Sequence, residues 1–208
     1  MDIPLLINRN QGRILDFFCF LDTMNIGDTM KILKNSFQNP LNIRTEKDFP
    51  VDGVEFIDIT PILMQKETYQ EMITLLLKEI KKKKPDYIVA PEARGFLIGS
   101  TIAYKLNIGC VPVRKIGKLP PTSVEKSFEY LKEYGKDTLQ IPKLVNDSYE
   151  NKKFYILDDI YATGNTVKAI KQAIEELKGE VVGEGVIMNI KELNDNKELF
   201  SLIDINED

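Results

Sequence analysis

The sequence predicts an α/β fold: a central, mostly parallel sheet flanked by helices. Two observations predict it. From about residue 67 onward, helical and strand patterns alternate as they do in βαβ units. The most apolar strand pattern, at residues 154–157, then runs into two adjacent carboxylates and a glycine-containing turn that opens a helix. Parallel α/β sheets bind their ligands at such strand ends.

Composition agrees with a folded domain. The chain has 208 residues, 43 % of them hydrophobic and 29 % charged, enough for one full core and unlike a disordered chain. The net charge of -4 argues against a general nucleic-acid binder. There is no histidine. That excludes Ser-His and Cys-His catalysis, histidine zinc sites and imidazole switching, and leaves acid–base work to carboxylates, lysines, tyrosines or the substrate. Cys19 and Cys110 sit in apolar surroundings and read as buried thiols, which suits a reducing cytosol. No stretch has the length of a membrane span. The apolar run at 14–21 is interrupted by Asp16, followed by Asp22 and lacks a small-residue cleavage site. It therefore reads as a folded segment of a cytoplasmic protein and not as a signal peptide.

Residues 1–42 read as an N-terminal extension packed on the domain that follows, 43–208. Asp28 is a candidate cap for a short helix over 29–37, which Pro40 stops from continuing. Residues 67–84 read as a helix, with Tyr69, Met72, Ile73, Leu76, Leu77 and Ile80 on one face and a solvated, dipole-complementing lysine run at 81–84. A strand over 87–90, a helix over 95–106 and a strand over 110–113 follow. Residues 116–138 are polar and carry Gly117, Pro120, Pro121 and Gly135, so they read as a long loop or a hairpin. The rest is a buried strand at 154–157, a helix over 166–177 and a strand over 180–188.

The segment Phe154-Tyr155-Ile156-Leu157-Asp158-Asp159-Ile160-Tyr161-Ala162-Thr163-Gly164-Asn165-Thr166 carries the strongest chemical signal. A helix start offers free N–H groups and the positive end of a dipole, which together make an anion site. Gly164 lets backbone approach the anion, and the threonine hydroxyls add donors. Carboxylates beside an anion do not favour it. They instead accept hydrogen bonds from sugar hydroxyls or help to hold a divalent cation.

This segment closely resembles the signature by which type I phosphoribosyltransferases bind phosphoribosyl pyrophosphate (PRPP). The resemblance implies their fold, with a small hood and a flexible catalytic loop. It implies that Asp158 and Asp159 hold the ribose hydroxyls, and that Ala162, Thr163, Gly164, Asn165 and Thr166 wrap the 5′-phosphate. Asn165 stands where adenine-specific members usually have a second glycine, and asparagine tolerates left-handed backbone. Further stretches resemble the adenine phosphoribosyltransferases. They are Asp48-Phe49-Pro50 with Gly53 and Phe56-Ile57-Asp58-Ile59-Thr60, Pro91-Glu92-Ala93-Arg94-Gly95-Phe96, Arg114-Lys115-Ile116-Gly117-Lys118-Leu119-Pro120, and Glu133-Tyr134-Gly135.

Some of these residues also have a reading of their own. Arg94 opens a helix after a strand, where its fork and the neighbouring N–H groups can meet a pyrophosphate. Arg114, Lys115 and Lys118 form a basic cluster directly after a strand, with Lys115 the best candidate for pyrophosphate and Lys118 beside it. From the resemblance, Glu133 is the catalytic residue over the reaction centre and Tyr134 a PRPP contact. Phe56 and Ile190 are candidates to sandwich a flat base. Ile57 belongs to the same base-binding stretch and stands where the family usually has an arginine. The resemblance also implies a cis peptide between Glu92 and Ala93.

The implied activity is Mg²⁺-dependent transfer of 5-phosphoribosyl from PRPP to adenine, giving AMP and pyrophosphate in purine salvage. The metal is held mainly by PRPP itself. The implied assembly is a homodimer, with no nucleic-acid or membrane partner. Ile57, and Lys132 where a leucine usually precedes Glu-Tyr-Gly, leave a different purine or related base open. A non-catalytic PRPP-sensing regulator is the remaining alternative. The net charge and the presence of Glu133-Tyr134-Gly135 argue against it.

Overall fold

The computed structural model of the protein describes residues 30–48, 55–132 and 135–207. The described residues fall into two compact units. Phe37–Tyr69 belong to one, and Met30–Ser36 with Gln70–Asp208 form the other.

In the smaller unit, strands β2 (Arg44–Lys47) and β3 (Glu55–Asp58) pair antiparallel, with Thr45 opposite Ile57 and Glu46 opposite Phe56. A short helix α1 (Thr60–Met64) follows. Asp58 Oδ1 accepts the Thr60 N–H at 2.8 Å, which satisfies one of the free donors at that helix start. Phe37, Leu41, Ile43, Ile57, Ile59 and Ile62 are buried.

The larger unit is built on an eight-stranded sheet, in the order β1-β10-β9-β8-β4-β5-β7-β6. Its strands are β1 (Met30–Asn35), β4 (Tyr87–Pro91), β5 (Gly109–Lys115), β6 (Val124–Lys132), β7 (Gly135–Pro142), β8 (Lys153–Tyr161), β9 (Glu180–Ile190) and β10 (Phe200–Glu207). The five central strands, β10-β9-β8-β4-β5, are parallel to one another. β1 and the β6–β7 hairpin add antiparallel edges. The α/β expectation therefore holds, and residues 116–138 contain a hairpin.

Three helices accompany the sheet. α2 (Lys66–Lys83) buries Met72, Ile73, Leu76 and Ile80 from the predicted face and leaves the lysine run exposed. α3 (Arg94–Leu106) joins β4 to β5, and α4 (Asn165–Glu176) joins β8 to β9. From β4 the chain moves one way along the sheet, and from β8 the other. Right-handed crossovers in opposite directions place α3 and α4 on opposite faces. On the α4 face, Val167, Ile170, Ala173 and Ile174 pack with Val89, Val111, Phe154, Ile156 and Val186.

The helix expected over 29–37 is a strand. Residue 29 lies outside the described residues, and residues 30–35 pair antiparallel with β10, Ile32 opposite Ile205. The local signals were a cap and a proline stop. The open ladder of β10 offers this segment a full set of backbone partners, and that long-range pairing overrides the local preference. Residues 30–35, placed in the N-terminal extension, are thus a strand of the main sheet.

Candidate active site

Between β4 and β8 the strand order reverses, which leaves a crevice at the carboxyl ends of these two neighbours. The segments following β4 and β8 are the ones singled out by sequence. The acid pair itself lies within β8, because the strand extends to Tyr161 and not to Leu157.

Asp158 Oδ1 accepts the Asp159 N–H at 2.8 Å. Asp158 keeps an opening to solvent. Even so, the packing around its carboxyl strips water from it, and the adjacent Asp159 carboxylate repels a second negative charge. Both effects hold its pKa well above the usual carboxylate range. Gly95, on the first turn of α3, helps to create this crowding. A Cβ there would lie 3.3 Å from Asp158 Oδ1 and 3.1 Å from Pro91 Cδ. Asp159 is 7 % exposed and forms an ion pair with the Arg94 guanidinium. The structure thus brings Arg94, Asp158 and Asp159 together from two separate segments.

After β8 the chain passes through Ala162 and Thr163 to Gly164, which has φ +77° and precedes α4. No side chain caps this helix start, so its first N–H groups are available to an anion. Thr163, Asn165 and Thr166 are half-buried around it. Lys168 Nζ donates to the Thr163 carbonyl at 3.1 Å and stiffens the turn. A Cβ at position 164 would stand 2.1 Å from the Tyr161 hydroxyl oxygen, and Tyr161 is 1 % exposed with little room to move. Gly164→Ala is therefore expected to cost about 1–3 kcal/mol, from the left-handed backbone together with this clash. Thermal denaturation should show a fall of roughly 3–10 °C in melting temperature. PRPP titration should show an affinity loss of about tenfold or more, since the same turn is the proposed phosphate cradle. Unchanged values in both measurements would remove the turn from the site.

The segment after β4 has the implied cis peptide between Glu92 and Ala93. Glu92 Oε2 accepts from Arg114 Nε and from the Lys115 N–H, both at 3.0 Å, and the Glu92 N–H donates to the Val113 carbonyl at 2.9 Å. The Lys115 N–H bond, with Arg114 beside it, holds the Glu92 carboxyl below its ordinary range. Glu92 therefore ties this segment to the end of β5. Arg114, grouped by sequence with the free basic cluster, is instead engaged by Glu92 and lies over the Phe96 ring at 5.7 Å. Lys115 and Lys118 are exposed on one turn, closed by the Lys118 N–H to the Lys115 carbonyl at 3.1 Å with Gly117 at φ +76°.

Of the remaining predicted residues, Phe56 and Ile190 are half-buried, while Ile57 is 4 % exposed and fills the core of the smaller unit. Glu133 and Tyr134 lie outside the described residues, between β6 and β7 in the chain. Cys110 is a free, partly buried thiol whose pKa is pushed up to about 11 by loss of water. Cys19 lies outside the described residues. Sequence reasoning assigned no role to Glu92, Asn194 or Asn196. Glu92 was visible inside its motif but its partner is 22 positions away. The two asparagines sit in a polar stretch with no periodic signal.

An acid pair, an uncapped helix start and an arginine, gathered at the reversal of a parallel sheet, are the arrangement that the resemblance to the phosphoribosyltransferases leads one to expect. The phosphoribosyl transferase domain family matches residues 59–206. An adenine phosphoribosyltransferase of Brachyspira hyodysenteriae is 44 % identical over 157 residues, which cover 76 % of this chain and 90 % of that relative. One of Clostridium tetani is 41 % identical over 158 residues, covering 76 % and 89 %. Among solved structures, the adenine phosphoribosyltransferase of Thermoanaerobacter pseudethanolicus superposes with a TM-score of 0.71 at 41 % identity, covering 78 % of this chain and 95 % of that one. The Saccharomyces cerevisiae enzyme, complexed with an imino-altritol bisphosphate and adenine, gives 0.66 at 36 % identity, covering 77 % and 93 %. The chain belongs to the adenine phosphoribosyltransferase family and is an enzyme of the glycosyltransferase class.

Proposed function

We propose that this protein transfers the 5-phosphoribosyl group of PRPP to N9 of adenine, releasing pyrophosphate and AMP in cytoplasmic purine salvage, and that it works as a homodimer. The observation that carries this reading is the junction of β8 and α4, where a carboxylate pair precedes an uncapped, glycine-entered helix start. The adenine bound to the Saccharomyces cerevisiae relative supports the choice of base.

In this mechanism Asp158 and Asp159 accept hydrogen bonds from the ribose hydroxyls and orient the sugar. The N–H groups and hydroxyls of residues 162–166 hold the 5′-phosphate. Positive charge builds on the ribose as the bond from C1′ to pyrophosphate loosens. Arg94, Lys115 and Lys118 receive the departing anion, and Tyr134 contributes to PRPP binding. Glu133 takes or shares the proton leaving the base nitrogen. Ile190, at the end of β9, is a proposed base contact, and Phe56 keeps the base-stacking role that the resemblance implies for it. Ile57, named with them from the resemblance, is buried in the core of the smaller unit and supports its strand without meeting the base.

Mg²⁺ fits this donor set. Among the described residues, no group of three or more acidic or cysteine side chains is gathered to hold a metal by itself. Mg²⁺ is commonly bound by one or two carboxylates together with substrate phosphates and water. Asp158 and Asp159 would be the carboxylates to assist it. When bound, the ion neutralises charge on the pyrophosphate.

The test is a panel of adenine, hypoxanthine, guanine and xanthine with PRPP, following pyrophosphate and nucleotide with Mg²⁺ or with EDTA. Adenine is expected to exceed each other base by about 10²-fold or more in kcat/KM, because a site built for the 6-amino group leaves polar groups unpaired with the others. EDTA should abolish turnover. Preference for another base would transfer the reading to that base, which Ile57 makes the first alternative. PRPP binding without turnover of any base would indicate a sensor.

A further inference from the structure

We propose that Asn194 is a positioning residue that sets the phosphoribosyl and base halves of the site against each other. β8 and β9 pair in parallel up to Tyr161 opposite Asn189, and there the ladder ends. The next carbonyl on each strand is that of Ala162, which enters the proposed phosphate turn, and that of Ile190, which is proposed to face the base. The Asn194 amide nitrogen reaches both, at 2.9 Å and 2.8 Å, and also the Asn189 side-chain oxygen at 2.9 Å. Asn189 is 1 % exposed. One amide carries two hydrogens, so three acceptors converge on it and at least one bond is shared. The paired register does not continue beyond this point. The side chain of Asn194 links the two strand ends there and fixes how far they diverge.

A neighbouring contact acts on one half alone. Asn194 Oδ1 accepts the Asn196 N–H at 3.3 Å, which orders the turn between them. The Asn196 amide donates to the Tyr161 hydroxyl at 3.2 Å and to Glu184 Oε2 at 3.0 Å, and Glu184 in turn pairs with Lys171 of α4 at 3.2 Å. Tyr161 underlies Gly164. Asn196 therefore supports the phosphate turn from below, and Asn194 links that turn to Ile190.

This inference rests on the proposed function for its base half. The phosphate half is tested independently with ribose 5-phosphate alone. In Asn194→Ala the KM for PRPP, the KM for adenine and the Kd for ribose 5-phosphate should each rise about tenfold, the equivalent of losing one net hydrogen bond, with kcat changing less. In Asn196→Ala the Kd for ribose 5-phosphate should rise, while the KM for adenine stays within about twofold, because the lost bonds touch Tyr161 and not Ile190. Should Asn194→Ala fail to fold, Asn194→Ser keeps a short acceptor for the Asn196 N–H and is read the same way. A lower melting temperature with unchanged KM and Kd values would make Asn194 a purely structural residue and overturn the proposal. A rise for ribose 5-phosphate without one for adenine would overturn the two-sided role. If the wild type turned over no purine, the function reading would fall, and an unchanged ribose 5-phosphate Kd in Asn194→Ala would separately overturn this one.

Discussion

Asp158→Asn is expected to raise the melting temperature of the free protein while weakening PRPP binding. The stabilising half follows from the raised pKa of Asp158. A carboxyl whose folded pKa lies above its unfolded value of 3.8 holds its proton more tightly when folded. Its contribution to stability is therefore fully present below that value and is lost as pH rises through the folded pKa. At neutral pH the wild type carries this penalty and asparagine does not. The gain should be about 1–2 kcal/mol at pH 7 and should shrink toward pH 4. The functional half follows from the chemistry of the acceptor. A carboxylate receiving sugar hydroxyls makes charge-assisted hydrogen bonds worth roughly 1.5–3 kcal/mol, so PRPP affinity should fall about 10- to 100-fold. Adding Asp159→Asn should deepen the binding loss and reverse the stability gain, because Arg94 then loses its ion-pair partner. Melting curves across pH and PRPP titrations check both halves. Unchanged PRPP affinity in the double variant would remove the acid pair from the ribose site.

Glu133→Gln is expected to lower kcat by about 10²- to 10⁴-fold while leaving PRPP affinity nearly intact. A proton acceptor for the base contributes in the transition state and little to the ground state of the PRPP complex. The chain contains no histidine, which leaves a carboxylate as the acceptor the resemblance points to. Glu133 lies outside the described residues, but the strands on either side are defined. β7 is anchored by pairing with β5 at Arg114–Gln140 and Lys115–Leu139, and Tyr130 and Leu139 are buried. Beyond Thr138, the strand residues toward Lys132 and Gly135 pair within the hairpin. That end is the part expected to open and close. Hydrogen exchange should be fast there in the free enzyme and slower with PRPP and base, while Leu139 and Ile141 stay protected throughout. An equal loss of kcat and PRPP affinity in Glu133→Gln would make Glu133 a binding residue. Undiminished turnover would remove it from the mechanism and direct attention to Glu129 on β6.

Much of the site was legible because local chemistry carried it. Strand, acid pair, glycine turn and helix follow one another within 13 residues, and each step has a physical reason that needs no distant partner. The position of Arg94 at a helix start was legible for the same cause, whereas its ion pair with Asp159 was not. What was misread or missed involved partners far apart in the chain. Arg114 looked like a free cation until Glu92 was found against it. The acid pair looked like the start of a loop, yet pairing of Asp158 with Val186 keeps it inside β8.

By itself, then, the sequence determined the parallel α/β class and the glycine turn that opens α4, because periodicity and short-range hydrogen-bonding chemistry are written in consecutive residues, and the resemblance of its motifs pointed to the family. The tertiary structure alone decided that residues 30–35 are an edge strand of the sheet and that burial and the Asp159 carboxylate raise the pKa of Asp158. It also decided that Asn194 bridges Ala162 and Ile190. Each of these depends on which groups meet across the fold: an open backbone ladder, a desolvated neighbouring charge, or three carbonyl-type oxygens converging on one amide. Such meetings leave no pattern along the chain.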